Sequence, residues 1–224
     1  VPNLGPKRAK LVYDELGVRT VEELEEAAEG HKLAELYGLG PKAEQNILEG
    51  IRHLQTTSGR LLLHRAHRIQ EEIASLMRER IPGLTLSPAG SLRRMKETIG
   101  DIDILVSSRE GEEIMEAFCS LPAVQKVLLH GDTKSSILTR EGLQVDLRVV
   151  LPREFGAALQ YFTGSKEHNV RVREIAKKAG MKINEYGVFR VKGNRRLAGA
   201  SEEEVYRALD MDCPPPELRE NRGE

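Results

Sequence analysis

Asp101 and Asp103 stand two residues apart in Gly100-Asp-Ile-Asp-Ile-Leu-Val106, an otherwise apolar run. The pattern reads as a strand, and strand residues i and i+2 face the same way, roughly 6.5 Å apart along the backbone. Burying two ionised carboxylates together is costly unless something compensates them. A third aspartate, Asp146, stands among apolar neighbours in Val145-Asp-Leu-Arg-Val149, a second strand reading. If those strands are neighbours, three carboxylates converge and raise one another's proton affinity. Hard divalent cations such as Mg²⁺ remove that conflict because they favour carboxylate oxygens. Two such ions about 4 Å apart stabilise both the entering and the leaving oxygen of phosphoryl transfer.

The residues just upstream suit the other half of that chemistry. Gly90-Ser91 reads as a tight turn after a strand, where a hydroxyl and close backbone amides cradle a polyphosphate. Arg93 and Arg94 follow, and one of them can offer phosphate a planar fork of donors. A lone Asp-x-Asp would fit a turn or an edge strand equally well. The combination of Gly-Ser, two arginines, Gly-Asp-x-Asp and a distant strand aspartate favours catalysis.

The surrounding elements must bring these residues together. Strands are expected at Leu84–Leu86, Ile102–Val106, Val127–Leu129, Ser136–Leu138 and Val145–Val149. Leu61 to Arg80 carries Leu62, Ala66, Ile69, Ile73 and Leu76 at helical spacing, with Arg65, Arg68 and Arg78 on its polar side. His64 and His67 share that helix with no third ligand nearby, so they read as surface or packing residues rather than a zinc site. Helices are expected at 111–119 and 153–161, and a basic helix in KEHNVRVREIAKKAG ends at Gly180. A strand at Lys182–Tyr186, a hairpin at Lys192-Gly193-Asn194 and a short helix at Ser201 follow. Pro214-Pro215-Pro216 reads as the end of the folded part, with a charged linker after it.

Residues 1 to 55 read as helices. Leu4-Gly5-Pro6-Lys7 and Leu39-Gly40-Pro41-Lys42 repeat one recipe: apolar residue, Gly, Pro, Lys, then a helical run. Proline suits the first turn, glycine lets a ligand approach closely, and the free amides of the first turn suit phosphate oxygens. Such contact is indifferent to base sequence. Thr56-Thr57-Ser58-Gly59 reads as a hinge or short linker.

The net charge of −1 alone argues against a strongly DNA-seeking protein. Yet EELEEAAE and SEEE sit apart from HRAHR, SLRRMK, VRVREIAKK and VKGNRR, so a neutral total can conceal a basic face. No apolar run approaches the ~20 residues a membrane helix needs. No charged-then-apolar signal segment opens the chain, and Val1 followed at once by helical punctuation suggests an excised fragment. Cys119 and Cys213 have no partner at metal-ligand spacing, as expected of free thiols in a reducing cytoplasm.

GSLRRMKETIGDIDILV resembles the nucleotidyltransferase palm signature of family X DNA polymerases. YFTGS at 161–165, NVRVR at 169–173 and INEY at 183–186 occur in that family's order, and with the paired glycine hairpins the resemblance covers essentially the whole chain. Leu-Gly-Pro-Lys and the PPELRENRGE tail look most like the bacterial branch. The chain then corresponds to fingers, palm and thumb. On that resemblance, neither the phosphoesterase domain that normally follows in that branch nor the small N-terminal 5′-phosphate-binding domain of polymerase beta is expected within these residues.

The resemblance implies an α+β fold: helix-hairpin-helix fingers at 1–56, a palm with a mixed sheet and flanking helices at 57–151, a small α/β thumb at 152–213, and a linker tail at 214–224. It implies that Asp101 and Asp103 bind both metals, and that Asp146 binds the catalytic one and activates the primer 3′-hydroxyl. Ser91, Arg94, the Gly100 backbone and, more weakly, Arg60 would hold the triphosphate. Tyr161, Phe162 and Gly164 would form the turn under the sugar, with Asn169 and Arg173 on the minor-groove side. Gly5, Lys7, Gly40, Lys42 and Arg148 complete the expected DNA contacts. Gln144 departs from the arginine that animal members often place two residues before the third aspartate, which puts the orientation and charge of Asp146 in question. The implied activity is metal-dependent gap-filling DNA synthesis with two Mg²⁺, or Mn²⁺, by a monomer in the bacterial cytoplasm and nucleoid. Its partners would be primer-template or gapped DNA and deoxynucleoside triphosphates, with no membrane. The rivals are a non-templated nucleotidyltransferase and a non-catalytic helix-hairpin-helix DNA scaffold.

Overall fold

The computed structural model describes residues 4–57 and 60–223, with residues 22 and 52–57 described by their backbone only. The chain forms two compact units, Val1–Gly59 and Arg60–Glu224. The polar break read at 56–59 falls partly on Ser58 and Gly59, outside the described residues.

In the first unit, α1 (Pro6–Leu16), α2 (Val21–Glu29) and α3 (Pro41–Thr57) surround a core of Val12, Leu24, Ala28, Leu33, Leu39, Ile47 and Ile51. Gly5 caps α1 with proline inside the first turn, and the amides of Ala43 and Glu44 bond back to the Gly40 carbonyl at the start of α3. Thr20 and Glu23 form a reciprocal capping box on α2, so two of its orphan amides are satisfied. The buried Glu44 side chain accepts from His31 Nδ1 at 2.8 Å and from the Ala34 amide at 2.9 Å. It thereby pins the α2–α3 loop to α3.

The second unit opens with β1 (Leu61–Leu62), α4 (Leu63–Arg80), β2 (Thr85–Pro88), α5 (Gly90–Arg93), β3 (Thr98–Ile99) and β4 (Asp101–Ser107). It continues with α6 (Gly111–Cys119), β5 (Val124–Leu129), β6 (Lys134–Thr139) and β7 (Gln144–Val150). Then come α7 (Phe155–Thr163), α8 (Lys166–Lys178), β8 (Met181–Asn184), β9 (Gly187–Arg190), β10 (Arg196–Ala198) and α9 (Glu202–Arg207). Two expectations shift locally. Leu61 and Leu62 lie outside the helix and pair with Ile99 and Thr98. Tyr186 lies outside β8, in the turn before β9, where its amide bonds to Asn184 Oδ1.

Five strands make one mixed sheet in the order β2-β4-β7-β6-β5, in which only β4 and β7 run parallel. Because side chains alternate, Ile102, Ile104 and Val106 join Val145 and Leu147 on one face, packed under α4 and α6 through Ile69, Ile73, Met77, Ile114 and Phe118. Leu105 faces the other way, with Ala89 and with Ala158 and Leu159 of α7. A three-stranded sheet, β10-β9-β8, packs with α7, α8 and α9 around Ala157, Val172, Val188, Val205 and Tyr206.

The tail does not behave as the expected free linker. Arg219 is 1% exposed; it pairs with Glu202, donates from Nε to the Pro214 carbonyl at 3.0 Å and lies over the Tyr206 ring. Its carbonyl accepts from the Ser165 amide at 3.0 Å. A charged segment reads as solvated until its buried counter-ion is known, and Glu202 is distant in sequence. Cys119 and Cys213 are free thiols. Among the described residues no helix is long and apolar enough to cross a membrane.

Candidate active site

Strand register brings the aspartates together. Along the parallel pair Asp101 lies opposite Gln144, Asp103 opposite Asp146 and Leu105 opposite Arg148. On the far side of β7, Ser136 pairs with Asp146 and Lys134 with Arg148. Opposite residues share a face, so three carboxylates, Lys134, Ser136, Gln144 and Arg148 stand on the face that carries Leu105.

The carboxylates are not equivalent. Burial raises the pKa of Asp101, and the charge of Asp146 adds to it. Asp103 is pushed up to about 6 by burial, then by repulsion from Asp101 and Asp146, with Arg148 and Lys134 only partly offsetting these. At Asp146 burial acts in the same direction, but hydrogen bonds from Lys134, Gln144 and Ser136 outweigh it and hold the carboxyl below its ordinary value. Lys134 Nζ lies 2.8 Å from Oδ2 and Gln144 Nε2 lies 2.8 Å from Oδ1. Gln144 therefore orients Asp146 as a neutral donor, while the positive charge comes from Lys134. The sequence reading missed Lys134 because it started that strand two residues later.

Among the described residues no three acidic, histidine or cysteine side chains are already gathered around one point as a metal-ligand set. His67 faces Glu71 at 3.6 Å, one helical turn on. The aspartate face nevertheless fits divalent cations. Its donors are hard oxygens, two of its members resist ionisation because burial and mutual repulsion outweigh the nearby Arg60, Arg148 and Lys134 cations, and an ammonium occupies the third.

The phosphate-side residues come from other elements. Gly90 begins the one-turn helix α5, not merely a turn, at φ +60, and a Cβ there would fall 2.3 Å from Asp103 Oδ2. Glycine thus lets the turn carrying Ser91 lie directly against the second aspartate. Arg93 is occupied, with Nη1 donating to Thr163 Oγ1 at 2.7 Å and Nη2 to Glu202 at 2.6 Å. Arg94 donates from Nη1 to the Thr163 carbonyl and from Nε to Glu220 Oε1 at 2.8 Å. Arg60 bonds Thr98 Oγ1 at 2.9 Å, borders Gly100 and stabilises the charge of Asp101.

Tyr161 and Phe162 meet edge to face at 5.1 Å, and Gly164, at φ +68, borders Arg94 Nη1. The Arg148 guanidinium lies 4.5 Å above the Phe162 ring, and its buried Nε meets no acceptor among the described residues. Asn169 is buried and ties α8 to α7: Nδ2 donates to the Tyr161 carbonyl and Oδ1 accepts from Gln160, both at 2.7 Å. Arg173 Nε bonds the Asn169 carbonyl at 3.2 Å. In the other unit, Gly5, Lys7, Gly40 and Lys42 are all exposed. Glu202, Arg219 and Glu220 were not foreseen as neighbours of these arginines.

Residues 158–220 match the DNA polymerase beta thumb family, and residues 1–53 match the SAM-like helix-hairpin-helix tandem family. The thumb match takes in most of the packed tail. The whole chain is 37% identical over 226 residues to DNA polymerase/3′-5′ exonuclease PolX of Bacillus subtilis, of which it covers 40%. It is 25% identical to DNA polymerase lambda of Rattus norvegicus, with 96% of the chain and 40% of that relative covered. It is 24% identical to DNA-directed DNA/RNA polymerase mu of Homo sapiens, with 96% and 50% covered. The chain thus spans 40 to 50% of the length of these relatives. Among solved structures, a ternary P/T complex of Leishmania infantum polymerase beta superposes with a TM-score of 0.71 at 22% identity, covering 98% of this chain and 95% of that one. The ternary gap complex of the same polymerase gives 0.70 at 22% identity, with 96% and 86% covered. Over its whole length the chain is thus similar to PolX, and it shares the fold of polymerase beta, a likeness to the family X DNA polymerases.

Proposed function

We propose that this chain is a DNA-directed DNA polymerase that fills gaps during repair. It would add a deoxynucleotide to a primer 3′-hydroxyl with release of pyrophosphate. The observation that carries this reading is the three-aspartate face with the Gly90-Ser91 turn packed against Asp103. Residues 1–56 would serve as fingers, 57–151 as palm and 152–213 as thumb.

Asp101, Asp103 and Asp146 would hold two Mg²⁺, or Mn²⁺, and those ions when bound supply charge stabilisation to the reacting phosphate. Ser91, Gly100, Arg94 and Arg60 would bind the triphosphate. Tyr161, Phe162 and Gly164 would line the sugar, and Asn169, Arg173 and Arg148 would lie along the nascent pair and template. In the reaction the 3′-oxygen bonds to the α-phosphorus, the bond from that phosphorus to the bridging oxygen of pyrophosphate breaks, and the 3′-proton leaves toward Asp146. Hydrogen bonds from Lys134 and Gln144 keep that carboxylate ionised and aimed.

Gly5 and Gly40 would carry DNA phosphates with Lys7 and Lys42. A Cβ at either glycine would meet nothing within 4 Å among the described residues, so their packing does not demand glycine there. The absent Cβ would leave room there for close approach by a phosphate.

Primer extension on gapped DNA with Mg²⁺ or Mn²⁺ tests this reading, with Asp146→Ala as the control. Template-directed extension lost in that variant while DNA binding persists is the expected result. Products that ignore the template would favour the non-templated rival. Folded protein that binds DNA but extends nothing with either metal would favour the scaffold.

A further inference from the structure

Arg94 is held from a direction the catalytic reading does not use. Glu220 Oε1 accepts from Arg94 Nε at 2.8 Å and from Lys96 Nζ at 3.3 Å. The carboxylate stays ionised: burial opposes its charge, but hydrogen bonds from these two cations outweigh burial. Both partners are largely covered, with side chains 14% and 20% exposed, so this is a held pair rather than a rim contact. The Thr163 carbonyl takes a second bond from Nη1.

We propose that Glu220 is a positioning residue for triphosphate binding: it fixes the Nε edge of Arg94, as the Thr163 carbonyl fixes Nη1, so that Nη2 is presented to the incoming phosphate. The inference rests on the proposal that Arg94 binds the triphosphate. Three observations carry it further. The Glu220 bond falls on Nε, while no acceptor among the described residues takes a bond from Nη2. A group competing with phosphate would sit on the open end instead. Arg60, Arg94, Lys96 and Glu220 line one cavity of about 450 Å³, large enough for a phosphate chain. Finally, Arg219, not Glu220, anchors the segment, through Glu202, the Pro214 carbonyl and the Ser165 amide. The side chain of Glu220 is therefore spent on Arg94 and Lys96.

A free arginine must order its long side chain when it binds phosphate, and pre-ordering removes that cost. Glu220→Ala in the 224-residue chain should weaken dATP binding with Mg²⁺, measured by calorimetry, and raise the dATP KM, each about tenfold with kcat nearly unchanged. Glu220→Gln should recover most of the loss, because its amide oxygen still accepts from Nε. Glu217→Gln removes a charge from the same cavity wall and should change neither value. Thermal melts check that each variant is folded. Unchanged or tighter dATP binding in Glu220→Ala overturns the proposal, as does an equal effect of Glu217→Gln. A parallel fall in kcat and melting temperature, with KM unmoved, would mean that Glu220 only holds the tail. Arg94→Ala separates the two levels. If it leaves dATP binding intact, the triphosphate reading fails and this proposal with it. If it abolishes binding while Glu220→Ala does not weaken it, only the role of Glu220 fails.

Discussion

The ammonium of Lys134 lies 2.8 Å from Oδ2 of Asp146, on the face where Asp101 and Asp103 stand. One strand thus supplies a cation to a carboxylate that its neighbour crowds with like charge. Replacing Lys134 by Met leaves Asp146 with neutral donors only. The metal-free protein should lose about 1–3 kcal/mol, measured by urea unfolding in EDTA, because a partly buried carboxylate loses its counter-ion. Mn²⁺ binding followed by electron paramagnetic resonance should tighten, since no ammonium then competes for Asp146. Weaker Mn²⁺ binding would show that Lys134 assists the site instead.

Asp103 carries the opposite strain. Its pKa rises from 3.8 to about 6 on folding, so its charged form destabilises the folded protein above pH 6. Between those values the native state binds more protons than the unfolded chain, and stability falls as pH rises. Asp103→Asn should therefore stabilise the metal-free protein at pH 7.5 by on the order of 1–3 kcal/mol. The advantage should shrink as pH falls through 6 and be nearly gone near 4. Catalysis should disappear in the same variant. Thermal melts of variant and wild type in EDTA at pH 7.5 and 5 check the sign, and a gap of equal size at both pH values would refute it.

Arg219 and Arg93 both grip Glu202. Arg219→Ala leaves the buried glutamate with half its compensation and should cost about 3 kcal/mol. Burial opposes the charge of Glu202, but its two arginines dominate and lower its pKa. The stabilisation is present above the ordinary glutamate value of 4.5 and lost as pH falls below it, so the gap between Arg219→Ala and wild type should narrow there. Chemical unfolding at pH 7 and pH 4 measures it. A free linker would give no loss at either pH.

Lys7 and Lys42 sit just inside two exposed helix starts. Removing both should weaken binding to duplex DNA of any sequence and flatten the log affinity against log salt line by about 2 units. Fluorescence anisotropy across a salt series measures both effects. A loss confined to particular base sequences would mean that these lysines read bases rather than phosphates.

The recognition of this site from the letters rested on parity. Asp101 and Asp103 share a face because strand side chains alternate, and that holds in any strand. Gly90-Ser91 and the two Gly-Pro-Lys helix starts likewise follow from local backbone chemistry. The amphipathic helix ending at Arg80 and the main-sheet strands were legible within a few residues, because a large apolar face must recur at the period of its element. Tail packing was not legible: prolines and charges look the same in a linker and in a clasp.

The local order of charges and glycines determined which chemistry the chain can support, since neighbouring residues constrain one another through fixed backbone geometry. Only the fold decided that Asp146 stands opposite Asp103, that Lys134 rather than residue 144 supplies its cation, and that Arg93 is spent on Glu202 while Arg94 is held by Glu220. Those pairings join residues 43 to 126 positions apart in the two longest cases and the Asp103–Asp146 pair. Register and burial set them, and neither is a property of a short stretch of sequence.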